Sequence, residues 1–175
     1  GLLALNIGGA LVLFGLRASS VTEGERFTAT SREGALVFNN VMLSAILGIV
    51  LVGTLYPLLA EALGAKVSVG PPYFNPVSAI FAVPMLLVLA VGPLLRWRRD
   101  SLARIKVQIA IPALLLVGTL LWAASQAVGV LPALGLALSA ALAVASLLPL
   151  RGRKLRQVKL PLWGMVVAHF GIAVA

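Results

Sequence analysis

Residues 130–150 read VLPALGLALSAALAVASLLPL, and residues 151–156 follow at once as RGRKLR. Twenty-one residues pass without a charge, and then four of the next six are cationic. A helix needs about 20 apolar residues, each rising 1.5 Å, to cross the hydrocarbon of a bilayer. The stretch is therefore expected to cross a membrane as a helix and to stop where its arginines reach the head groups. A strand is excluded, because open sheet edges cannot face lipid and runs of this length are not strands.

The same pattern recurs on both sides of this stretch. Apolar spans are predicted over 1–16, 35–58, 77–95, 107–127, 130–150 and 160–175. The predicted fold is all-α, a polytopic transmembrane helix bundle of six spans forming one domain over 1–175. Gly1 opens inside an apolar run and Ala175 closes inside another, so the first and last spans are expected to be truncated pieces of a longer chain. Composition agrees: of 175 residues, 61% are hydrophobic and only 11% charged, against about 25% charged in soluble domains. The chain has no cysteine, which excludes disulfides, thiolate metal sites and a thiol relay.

The net charge of +9 would suggest nucleic acid in a soluble protein. Here the charges flank apolar spans, so they are read as setting orientation, and no nucleic acid is expected. Loops 17–34, 96–106 and 151–159 together hold 13 basic residues, whereas loop 59–76 holds only Lys66. The positive-inside rule places the three rich loops in the cytoplasm and loop 59–76 outside. Thr30 and Glu33 have capping-box spacing for the second helix. Pro71, Pro72 and Pro76 are expected to keep the outward loop non-helical. Arg96-Trp-Arg-Arg99 is expected to meet anionic membrane lipids.

His169 is the single histidine and lies inside an apolar span, about 15 Å along a helix from Lys159 and so near mid-membrane. Ionisable residues at that depth usually face a bundle interior and serve a site. A neutral imidazole is a good axial ligand for haem iron and needs no buried charge. The alternatives are a proton relay or a histidine merely hydrogen-bonded to another helix. At 100° per residue, Leu162, Met165, Val166, Ile172 and Ala173 share its face. Gly164, Ala168, Gly171 and Ala175 form a separate small-residue stripe suited to close approach of another helix.

On the second helix, Asn39 and Asn40 are expected to face the bundle interior, with Asn40, Ser44 and Thr54 on one polar line. Interhelical hydrogen bonding accounts for them without a ligand. Tyr73 and Phe74, in the outward loop, are candidates to contact a flat ligand or an extended peptide. An interfacial aromatic belt explains them equally well. No paired carboxylates in a span, Gly-x-Ser-x-Gly, P-loop or metal-ligand cluster is present, and the catalytic residues are unknown from sequence.

Five blocks follow one another along the chain. Ser31-Arg32-Glu33-Gly34-Ala-Leu-Val-Phe-Asn39-Asn40, Leu51-Val-Gly-Thr54-Leu-Tyr-Pro57 and Ser68-Val-Gly-Pro-Pro-Tyr-Phe-Asn75 come first. Gly92-Pro-Leu-Leu-Arg-Trp97 and Trp163-Gly-Met-Val-Val-Ala-His169-Phe-Gly171 follow. In that order they resemble the CcmF/NrfE family. The resemblance implies a haem lyase of cytochrome c maturation system I in the bacterial inner membrane. Such a protein takes haem from the haem chaperone CcmE. It forms thioether bonds between haem vinyls and the cysteines of apocytochrome c, with other cytochrome c maturation components as partners. The family also holds a haem b between two transmembrane histidines, and His169 matches the later one, as a ligand of the haem iron. A haem there is expected to pass an electron to the incoming haem, keeping its iron ferrous. The family's Trp-rich motif, its outward-facing histidines and its earlier transmembrane histidine have no counterpart in this sequence. From another class, a solute transporter or permease segment without haem also has proline-bearing helices and Asn pairs at depth.

Overall fold

The computed structural model describes residues 1–18 and 26–175. Residues 19–25, within the expected loop 17–34, lie outside the described residues. The described residues form helices joined by short connections: α1 (Leu2–Arg17), α2 (Arg32–Ala62), α3 (Pro71–Val91), α4 (Leu102–Ser125), α5 (Val130–Leu147) and α6 (Leu160–Val174). Single 3-10 turns extend α3 over Gly92–Leu94 and α5 over Leu148–Leu150. Helices α2, α3, α4 and α5 are long and apolar enough to cross a membrane, while α1 and α6 are apolar but shorter. The molecule is an all-α, multi-pass membrane helix bundle.

Helix α5 is the hub, packing against α3, α4 and α6. The reason lies in its alanines. Ala133, Ala137, Ala141 and Ala145 recur every four residues and are all buried, which lets neighbouring backbones approach closely. Ser146 is also buried there and satisfies its hydroxyl by donating to the Ala143 carbonyl at 2.7 Å. Helix α6 meets this hub through Val166 and Ala173, its two buried residues. The small stripe of Gly164, Ala168, Gly171 and Ala175 is exposed instead, and a Cβ on either glycine would meet nothing. Helix α2 pairs with α3. At Gly53 the two come so close that a Cβ would fall 2.5 Å from Phe74 Cε1 and 3.0 Å from Tyr73 Cε1.

Four boundaries differ from the sequence expectation. Helix α3 begins at Pro71, with Gly70 as its N-cap. Prolines in a first turn lack an N–H that would have had no partner, and their fixed φ suits a helix; Pro76, also expected to keep the loop non-helical, lies inside α3. Since α2 also runs through Pro57 to Ala62, the connection expected over 59–76 shrinks to 63–70. The N-cap of α2 is Ser31 rather than Thr30, its hydroxyl accepting from the Gly34 amide at 3.0 Å. Glu33 closes no capping box, because its carboxylate accepts from the Arg98 amide at 2.7 Å. Helix α4 starts at Leu102, so Arg104 and Lys106 stand on its first turns rather than in a loop.

Candidate functional site

The segment 28–32 is tied to the chain after α3 by a ladder of long-range bonds. The Thr28 and Arg32 amides donate to the Arg98 and Arg96 carbonyls, each at 2.9 Å. The Thr30 hydroxyl donates to the Asp100 carbonyl at 3.0 Å. Beneath them Ala35, Leu95 and Ile105 form a small buried core. Asp100 organises the far side, accepting from the Arg96 amide at 2.8 Å and from Arg104 Nε at 2.9 Å. The Arg104 guanidinium, aided by the Arg96 and Ser101 amides, holds the Asp100 carboxyl well below the usual carboxylate range. This end of the bundle is thus fixed by backbone and ionic contacts, and it fixes Arg32 in turn.

Between α2, α3 and α6 lies a cavity of about 310 Å³, at the lower end of the ~300–1,000 Å³ typical of small-molecule sites. Ala35, Leu36, Val88 and Leu89 give it an apolar wall, and Arg32, Asn39, Met165 and His169 supply the polar and soft atoms. His169 is half-buried, and its Nδ1 lies 2.8 Å from the Met165 carbonyl oxygen. A carbonyl only accepts, so the proton sits on Nδ1. In the neutral ring Nε2 then carries the free lone pair. Metal-ligating histidines are commonly oriented in this way, by a hydrogen bond from the other ring nitrogen.

The donor set fits a haem: one oriented imidazole and an apolar wall, with one cation alongside. It holds one imidazole only. The chain has no second histidine, and Met165, one turn from His169 on the same helix, is not placed to bind the opposite side of one iron. The two asparagines part company. Asn39 lines the cavity, whereas Asn40 is exposed among the described residues, as are Ser44 and Thr54 on its polar line. Helical geometry thus gathers those residues on one face, which is exposed among the described residues. Tyr73 and Phe74 make an edge-to-face pair with ring centroids 5.3 Å apart. They sit on the first turn of α3 beside Gly53, and along α2 Gly53 is about 21 Å from Asn39. The aromatic pair and the cavity are therefore separate places.

Sequence reading missed Arg32 as a cavity residue. Its place in the Ser31-Arg32-Glu33-Gly34 block was visible, but an arginine at a helix start reads as an orientation charge. Only the fold, which packs α6 on α5, sets it beside Met165.

Comparison with known proteins decides the family. The cytochrome c-type biogenesis protein CcmF of Escherichia coli is 39% identical over 98% of this chain and 28% of its own length. CycK of Rhizobium meliloti is 50% identical over 58% of this chain and 15% of its own. The chain belongs to the CcmF/NrfE family. NrfE of Haemophilus influenzae is 30% identical over 94% of this chain and 27% of its own length, so both branches align. The chain spans little more than a quarter of the CcmF relatives it matches. No family profile and no solved structure matches it. The relatives are all named for cytochrome c-type biogenesis, and the permease reading finds no support among them.

Proposed function

We propose that this chain is the part of a cytochrome c maturation haem lyase that provides one axial ligand, His169, to a membrane-embedded haem b. The observation that carries the reading is the 2.8 Å contact from His169 Nδ1 to the Met165 carbonyl beside the cavity. It fixes the ring and frees Nε2 for iron. Haem held there supplies a one-electron redox centre within the membrane. The chain's own residues do the rest: Leu36, Val88 and Leu89 exclude water, and Asn39 offers an amide at the cavity wall. The family relationship supports the wider assignment, in which thioether bonds form between haem vinyls and apocytochrome c cysteines with haem delivered by CcmE. The basic asymmetry supports a bacterial inner membrane topology with Lys66 outside and the loops around Arg99 and Arg153 in the cytoplasm. Tyr73 and Phe74, at the Lys66 end of the bundle, are the candidate contact for haem or apocytochrome.

The test is the absorption spectrum of the full-length protein in detergent. His169→Ala should strip or weaken the haem Soret band and lower cytochrome c yield, and His169→Gly should regain the band on adding imidazole. A His169→Ala protein with full haem content and an unchanged reduced spectrum refutes the assignment.

A further inference from the structure

Arg32 is an unusual occupant of this cavity. Its Nη2 donates to the Met165 sulfur at 3.3 Å, and its guanidinium lies 5.1 Å from the centroid of the Trp97 ring. A thioether is a weak acceptor and a guanidinium has five donors to place, so these partners leave most of its hydrogen-bonding capacity for something else. The described carboxylates are engaged or distant. Glu33 accepts from the Arg98 amide and Asp100 is held by Arg104. Glu61 stands at the other end of α2, about 43 Å along the helix. Arg32 is nonetheless half-buried and held in place, its own amide bonded to the Arg96 carbonyl.

The surroundings extend the charge. A second pocket of about 260 Å³ shares Arg32 and Met165 with the first and adds Arg104, Arg151 and Arg153. The two pockets meet at Arg32, with His169 lining the apolar side and the arginines the other. An iron porphyrin has a metal at its centre and two carboxylates on one edge. His169 offers a complement to the metal and Arg32 one to the carboxylates.

We propose that Arg32 is the counter-charge for the carboxylate edge of the haem, so that this edge faces the start of α2 and the basic loops. The inference rests on the haem reading of His169 and adds the group's orientation to it. A cation beside the ring also stabilises ferrous over ferric iron, because reduction removes a positive charge from its neighbourhood.

The test uses the full-length, haem-loaded protein. Arg32→Gln should lower the haem midpoint potential and speed haem loss to a scavenger about tenfold or more, the scale of one charge-assisted hydrogen bond. Arg32→Lys, which keeps the charge, should retain most of the potential. Independently of any variant, the haem-stripped wild-type protein should take up haem more tightly than haem dimethyl ester, whose carboxylates are masked. Arg32→Gln should erase that preference. Equal affinity of the wild-type protein for haem and its ester overturns the proposal even if Arg32→Gln fails to fold. If Arg32→Gln leaves potential and loss rate unchanged while His169→Ala strips the haem, the orientation is wrong and the ligand assignment stands. If His169→Ala leaves the haem untouched, both fall.

Discussion

Gly34 offers a test in which two physical effects have opposite signs. It sits in the first turn of α2, where helix propensity alone favours alanine over glycine by about 1 kcal/mol. The packing reverses that preference. A Cβ at Gly34 would press into the Ala29 carbonyl oxygen, 2.9 Å from its carbon and 3.0 Å from the Thr28 oxygen. All are backbone atoms, so no side-chain rotation relieves the overlap. Restoring ordinary contact at 3.4 Å with the Ala29 oxygen requires segment 28–30 to retreat by about 1 Å. That segment is tethered by the bonds from Thr28 to Arg98 and from Thr30 to Asp100. Overpacking of this kind costs about 1–3 kcal/mol, and each broken tether adds about 0.5–1.5 kcal/mol. After the gain in propensity, Gly34→Ala should destabilise by about 2 kcal/mol. Gly48→Ala in the same helix is the control, since a Cβ there meets nothing within 4 Å. It should be neutral or stabilising by up to about 1 kcal/mol. Thermal unfolding of the full-length protein in detergent, followed by circular dichroism, measures both. A Gly34→Ala protein as stable as wild type or more so would show that the docking of segment 28–32 does not constrain α2.

Two further outcomes follow from the same geometry. Cysteines placed at Lys66 and Arg99 should react with an impermeant maleimide from opposite sides of the membrane, and labelling of both from one side would overturn the orientation. Replacing Tyr73 and Phe74 together by alanine should lower cytochrome c yield while leaving the haem spectrum intact, because the pair stands about 21 Å along α2 from the cavity; unchanged yield would make the pair a surface anchor only.

The span pattern was legible because it rests on length and charge, which lipid reads without reference to neighbours. What sequence could not supply was which face meets which helix. Asn40, Ser44 and Thr54 do share one side of α2, but that side is exposed. The small stripe of α6 has the spacing for close packing, yet the close packing is done by the alanines of α5, whose composition alone reads as low complexity. The prolines at 71 and 72, which begin α3, are ambiguous in sequence for a different reason. Proline interrupts a helix it arrives in and favours one it begins, so the same residues point both ways until the start is known. His169 could be placed at depth by counting, while the proton on its Nδ1 depends on the Met165 carbonyl, which a wheel does not show.

The four residues Ser31-Arg32-Glu33-Gly34 show how one short block can serve a site built from three helices. Ser31 is fully buried and closes the start of α2 by accepting from the Gly34 amide. Glu33 reaches across to the Arg98 amide and pins the chain that follows α3. Gly34 lacks the Cβ that would push segment 28–30 away from that anchor. Each of these contacts fixes the backbone on one side of Arg32, and none uses its side chain. The guanidinium is thereby left to the cavity, where Met165 and Trp97 orient it without neutralising it. A change at any of the three neighbours should therefore act on the cavity through the position of Arg32, whereas a change at Arg32 should leave the fold of this end intact and alter what the cavity holds.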